Sequence, residues 1–184
     1  GVRMSFIVQR SPRGLADAYI LAEDFLDGEP SVMILGDNIF EDDFTEAIKT
    51  FKKGGRIFAV KVPDAERFGV VEFHPENQTV ISIEEKPAAP KSEYAIPGLY
   101  IFDGRASAIA KTLTPSARGE IEIVDIHKSY LKDNELDVRV TEGAWFDTGT
   151  HDSLLEASVF AKEHELGKNF DPILIEALEE HNKE

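Results

Sequence analysis

The spacing of apolar positions changes several times along this chain, and each change marks an element. Ser5 to Gln9 is a short, mostly apolar run of the kind that forms a buried strand. After the turn Ser11-Pro12-Arg13-Gly14, the residues Leu15, Ala18, Tyr19, Ala22, Phe25 and Leu26 recur at helical spacing and predict an amphipathic helix. Asp27-Gly28-Glu29-Pro30 then leads into a strand over 32–36. Asp43 and Glu46 have capping-box spacing and start a second helix reaching about Phe51, before a strand over 56–62. Strand, helix, strand, helix, strand is the rhythm of a parallel sheet with right-handed crossovers.

Beyond Pro63 the period shortens. Gly69–Phe73, Val80–Ile83 and Tyr94–Phe102 are β runs with short connections, which predicts an antiparallel excursion grafted on the parallel sheet. Helices return over 104–112 and 121–132, then a strand over 136–140 and the segment Trp145–Asp147. Thr150 is placed to N-cap a helix from about 151 to 166, and Phe170–Leu178 again has helical spacing ahead of a charged tail. With no internal repeat and no long linker, residues 1–184 read as one domain. Its β-rich part covers about 63–103 and its C-terminal helices about 151–182.

Composition narrows the class. Hydrophobic residues make up 42% and charged residues 30% of the 184, as in ordinary globular proteins. A formal net charge of −15 argues against a sequence-independent grip on nucleic acid or anionic membrane. It leaves phosphorylated small molecules open, and the opening stretch is locally basic, with Arg3, Arg10 and Arg13 against Asp17. The absence of cysteine excludes disulfides, thiolate metal sites and cysteine catalysis. No apolar run approaches membrane-spanning length, and the expected setting is cytoplasmic. Gly1 opens directly onto an apparent core strand, so the expectation is a piece of something longer.

Candidate chemistry begins with two aspartates. Val32-Met33-Ile34-Leu35-Gly36-Asp37-Asn38 and Ala144-Trp145-Phe146-Asp147-Thr148-Gly149-Thr150 each end an apolar run with Asp and small turn residues. In parallel α/β proteins ligands gather at the carboxyl ends of strands, and two carboxylates brought there suit one hard cation such as Mg²⁺ carrying phosphate. Asp37 alone also fits a plain turn or a phosphoacceptor, Asp147 a helix entry, and the two together a glycosidase acid/base pair. Glu84-Glu85-Lys86-Pro87 is either a solvated charge cluster or a lysine for phosphate beside a carboxylate for hydroxyls. Arg118 either pairs with Glu120 or Glu122 or reaches a ligand anion. Gln9 and Gly14 flank a turn where an amide could read a base edge by paired donor and acceptor, or where there is only a turn. The five histidines (74, 127, 151, 164, 181) lack metal-like spacing and read as surface or helix residues.

Taken in order, Val8–Ala16, Leu35–Phe40, Arg67–Phe73, Glu84–Pro87, Pro97–Tyr100, Ser116–Glu122 and Trp145–His151 resemble the glucose-1-phosphate thymidylyltransferase family of sugar nucleotidyltransferases. The resemblance implies an α/β fold: a Rossmann-like nucleotidyltransferase core, with a mixed sheet flanked by helices and a β-rich sugar-binding insertion. It implies that dTTP and α-D-glucose 1-phosphate give dTDP-glucose and pyrophosphate with Mg²⁺, feeding deoxysugars such as rhamnose. Asp37 and Asp147 would hold Mg²⁺, and Gln9 and Gly14 would contact thymine. Gly69, Glu85, Lys86 and Gly98 would line the sugar-phosphate side, with Tyr100 and Arg118 as neighbours. Lys86, Asp37 and Asp147 would serve catalysis. UTP in place of dTTP, or a non-catalytic sugar-nucleotide-binding or assembly module, are the alternatives. Homo-oligomers are usual in the family.

The family opens with a strand and a Gly-rich loop, bearing an arginine and followed by a lysine, that cradles the triphosphate. No segment here matches it, Gly54-Gly55-Arg56 being only a turn before a strand. The expectation is therefore an N-terminally truncated fold with an unpaired sheet edge, weakly active or inactive by itself.

Overall fold

The computed structural model describes residues 3–164, and the helix expected over 170–178 lies outside them. The described residues form two compact units, one of residues 3–36 and 40–145, the other of 37–39 and 146–164.

The first unit is built on a seven-stranded mixed sheet in the order β1-β7-β3-β6-β4-β5, with β8 also paired to β3. The strands are β1 (Ser31–Ile34), β3 (Gly55–Lys61), β4 (Gly69–Phe73), β5 (Val80–Glu85), β6 (Tyr94–Ile96), β7 (Leu99–Phe102) and β8 (Leu136–Val140). β1 and β3 point the same way, as the strand-helix-strand rhythm predicts, but β7 is inserted antiparallel between them. The parallel ladder seen is β3 with β8, from Gly55↔Leu136 to Ala59↔Val140. The antiparallel excursion is present as β4, β5 and β6.

Side-chain alternation along the central strands separates two cores. Ile57 and Ala59 of β3 and Tyr100 and Phe102 of β7 face one cluster. That cluster includes Tyr19 of α1 (Asp17–Leu21), Ala106 and Ala110 of α4 (Ala106–Thr112), and Val124, Ile126 and Tyr130 of α5 (Ile123–Lys132). Phe58, Leu99 and Ile101 face the other, packed against Phe40, Phe44, Ala47 and Phe51 around α3 (Thr45–Lys49).

Four expectations are corrected. Residues 5–9 form no strand, and Phe6 and Val8 are 86% and 76% exposed. Apolar composition alone does not make a strand, because its N–H and C=O groups need a ladder partner, and none takes them among the described residues. The helix over 15–26 is two short ones, α1 and α2 (Glu23–Leu26), broken at Ala22. The run 94–102 is split at Pro97-Gly98, where proline has no N–H for a ladder and Leu99 N–H donates to Pro97 O at 2.8 Å. Asp43 accepts from Thr45 N–H at 2.8 Å, two residues on, so it forms a turn rather than a capping box with Glu46, and α3 stops at Lys49.

The second unit holds the segments that carry the two aspartates. β2 (Asn38–Phe40) and β9 (Trp145–Asp147) pair as a two-stranded ladder. Thr148 N–H donates to Asp37 O at one end and Glu41 N–H to Ala144 O at the other, so the strands are antiparallel. α6 (His151–Glu163) follows, with the expected cap at Thr150. Thr150 Oγ1 accepts from Ser153 N–H, and Ser153 Oγ accepts from Thr150 N–H, each at 3.2 Å.

Candidate functional site

In the second unit, backbone pairing sets Asp37 beside Asp147. The Thr148 amide and hydroxyl both donate to Asp37 O at 2.8 Å, tying the residue before one turn to the residue after the other strand. Asn38 Nδ2 donates to Asp37 Oδ1 at 2.9 Å and orients that carboxylate. A Cβ built on Gly149 would stand 3.4 Å from Asp147 Oδ1 and 3.9 Å from Asp37 Oδ2. The two carboxylates therefore converge over a residue without a side chain. Two hard anionic oxygens facing one open space fit a hard divalent cation whose remaining positions are filled by phosphate and water. Among the described residues no cluster of three or more His, Cys, Asp or Glu side chains exists to hold a metal by protein alone.

In the first unit, Glu85 ends β5 and pairs in register with Gly69 of β4. A Cβ on Gly69 would lie 3.4 Å from Glu85 Oε2 and 3.3 Å from Val124 Cγ2, so glycine lets that carboxylate and Val124 pack closely against the strand. Arg118 Nη2 bonds Glu122 Oε2 at 2.9 Å and lies 3.5 Å from Glu85 and 3.4 Å from Glu120. The pairing reading of Arg118 thus holds, and it extends to the candidate sugar-side carboxylate. Burial raises the Glu85 pKa above the ordinary carboxylate value, with repulsion from Glu122 adding to it, while Lys86, Arg118 and Lys128 pull it back. Lys86 is exposed, in left-handed backbone at φ 44°, and its N–H donates to Phe68 O at 3.0 Å.

Gly98 accepts Leu35 N–H at 2.9 Å, and the Leu35 side chain covers it so closely that a Cβ would sit at 2.6 Å. Tyr100 is 4% exposed, its ring packed on His127 and Phe102, so it contributes core surface. Trp145 packs edge-on against Phe68.

The turn at Gln9 and Gly14 is held by bonds within the protein. Gly14 adopts φ 101°, and Ile121 N–H donates to Arg13 O at 2.7 Å, fastening the turn to the segment before α5. Gln9 Nε2 donates to Gly14 O at 3.2 Å and to Asp17 Oδ2 at 2.9 Å. Both amide hydrogens are spent inside the protein, so the paired donor and acceptor expected for base reading reduce to the acceptor Oε1.

The burial of two charged groups escaped the sequence reading. Asp17 is 2% exposed, and its only signal was Arg13 four residues earlier. Glu122, named with Glu120 as a partner for Arg118, is buried beneath it and accepts from Ser116 Oγ at 2.7 Å. His127 is corrected from a surface or helix residue to a helical but fully buried one. Burial pushes its pKa down to about 3, and neither ring nitrogen has a hydrogen-bond partner among the described residues.

A mixed sheet with helices on both faces is the frame of a nucleotide-handling α/β protein. The chain belongs to the nucleotidyl transferase family, whose model matches residues 1–164. Within that family its relatives are glucose-1-phosphate thymidylyltransferases. The chain is 46% identical to the enzyme of that name from Neisseria meningitidis serogroup A, over 98% of this chain and 63% of the relative. The chain thus spans less than two thirds of that relative's length. A solved structure described as a glucose-1-phosphate thymidylyltransferase from Bacillus anthracis, in complex with sucrose, superposes with a TM-score of 0.81 at 42% identity. That match covers 91% of this chain and 67% of the other. UDP-glucose pyrophosphorylase complexed with UDP-glucose has a TM-score of 0.78 at 20% identity, covering 87% and 66% of the two chains, a likeness of fold alone. Among the described residues no helix is long and apolar enough to cross a membrane.

Proposed function

We propose that this protein carries out nucleotidyl transfer onto a sugar phosphate, with dTTP and α-D-glucose 1-phosphate as substrates and dTDP-glucose and pyrophosphate as products. An oxygen of the sugar phosphate attacks the α-phosphorus of dTTP, the α–β anhydride bond breaks, and pyrophosphate leaves with the electron pair. The observation that carries this reading is the convergence of Asp37 and Asp147 over Gly149. Asp37 and Asp147 would hold Mg²⁺, which would supply positive charge for the phosphates. The remaining work is positioning and electrostatics by protein groups. Lys86 offers a cation to phosphate. Glu85 accepts from sugar hydroxyls beside Gly69, with Arg118 and Gly98 bounding that side and Tyr100 backing it. Gln9 Oε1 and the Gly14 backbone meet the thymine. The product feeds dTDP-deoxysugar synthesis such as that of rhamnose, in the cytoplasm, and the protein assembles as a homo-oligomer.

Calorimetric titration with dTDP-glucose and Mg²⁺, repeated with Asp37→Asn, tests the reading. Saturable binding that the substitution weakens about tenfold or more supports it, since one of two anionic ligands is lost. A folded protein that binds without regard to Mg²⁺ or Asp37 refutes it. Equal competition by UTP would remove the thymidylyl assignment while leaving the reaction class.

A further inference from the structure

The Gln9 amide is held in one orientation by one backbone carbonyl and one side chain. Its two hydrogens go to Gly14 O and Asp17 Oδ2, at 3.2 and 2.9 Å. Turning the amide over would set Oε1 against a carbonyl oxygen and a carboxylate oxygen, two acceptors facing an acceptor. Gly14 O is fixed by the backbone bonds that join Arg13 and Ala16 to Ile121, at 2.7 and 3.1 Å. Asp17 is fixed by burial, at 2% exposure, with Arg13 Nε 3.6 Å from its other oxygen. A carboxylate is also the one side-chain partner that, when ionised, only accepts, so it cannot tolerate the flipped amide as an asparagine could. Gln9 itself is exposed, and its Oε1 accepts from no protein donor among the described residues.

We propose that Asp17 is a positioning residue that sets base specificity by locking Gln9 to present only an acceptor. An acceptor pairs with the N3–H of thymine or uracil. It opposes the bare N3 of cytosine, which is itself an acceptor. The inference rests on the functional reading in which Gln9 meets the base, and it adds how the choice between pyrimidines is made.

The test titrates the 184-residue protein with dTDP and with dCDP in the presence of Mg²⁺, and repeats both with Asp17→Asn. The parent is expected to prefer dTDP by about tenfold or more, the penalty for opposing two acceptors in place of one hydrogen bond. Asparagine has the same shape but can turn its own NH₂ toward Gln9, which leaves only Gly14 O, at the longer 3.2 Å, to oppose a flip of that amide. The variant is therefore expected to gain affinity for dCDP and to narrow the preference to within about threefold. Simple structural damage would lower both affinities and produce no gain. A parent that discriminates, with a folded variant that discriminates equally, overturns the role of Asp17 and leaves the functional reading standing. A parent that binds both nucleotides alike, or neither, overturns the functional reading and this inference with it. If Asp17→Asn does not fold, the ligand-free parent decides by NMR. Two resolved, slowly exchanging Gln9 side-chain protons uphold the lock, and rapidly exchanging ones overturn it.

Discussion

Substituting Gly14 by alanine separates two costs that glycine hides, because Gly119 supplies a control with the first cost and not the second. Both residues have positive φ, 101° and 79°. An alanine at either one meets left-handed strain of about 1–2 kcal/mol, offset by about 0.4–1 kcal/mol from restricting the unfolded chain. At Gly119 nothing lies within 4 Å of the added Cβ, so the net cost is about 1 kcal/mol. At Gly14 the Cβ would stand 2.4 Å from Ile121 O. Reaching ordinary contact at 3.4 Å requires a shift of 3.4 − 2.4 = 1.0 Å. That shift pulls apart the Arg13–Ile121 and Ala16–Ile121 bonds, now 2.7 and 3.1 Å long. Two backbone bonds at about 1 kcal/mol each bring the total to about 3 kcal/mol. In a domain of this size that lowers the melting midpoint by about 6–12 °C, against about 2–4 °C for Gly119→Ala. Thermal and urea melts of the two variants measure the difference. A turn that peels away without global unfolding would spare the melt but release the Ile121 and Ala16 amides to hydrogen exchange. If Gly14→Ala melts with Gly119→Ala and keeps both amides protected, the reasoning is wrong.

Two further outcomes follow from the packing. His127 stays neutral in the folded protein down to about pH 3, whereas its ordinary pKa is 6.5, so between those values the unfolded chain binds more protons. Its contribution to stability is complete above about pH 6.5 and is lost as the pH falls toward 3. His127→Leu should therefore lose less stability between pH 7 and 4.5 than the parent in urea titrations, and parallel losses would count against it. Thr150→Ala removes the acceptor for Ser153 N–H and should cost about 1 kcal/mol at the start of α6, read as faster exchange of the Ser153 amide.

The helical cap at Thr150 and the strands β3, β4 and β8 were legible because each rests on local pattern or on turn chemistry, and Asp37 and Asp147 stood out one by one through the small turn residues that follow them. What escaped depends on partners remote in sequence. Residues 5–9 look like a core strand, yet strand formation is decided by a neighbour that no local pattern names. His127 lies four residues from Ile123 on the inner face of α5, but a histidine within an amphipathic pattern reads as polar. Asp17 looked like one more surface charge, and only the folded turn shows that its carboxylate takes up the Gln9 amide.

β7 lies between two strands that are synthesised well before it. Gly55 of β3 waits for Phe102, 102 − 55 = 47 residues later, and for Leu136, 136 − 55 = 81 residues later. At 5–20 residues per second that is roughly 2–9 s before β7 can join β1 and β3 and roughly 4–16 s before β8 can join β3. Folding of the sheet is thus paced by translation of its middle strand, and codon choice between residues 62 and 102 bears directly on how long a nascent chain stays sticky.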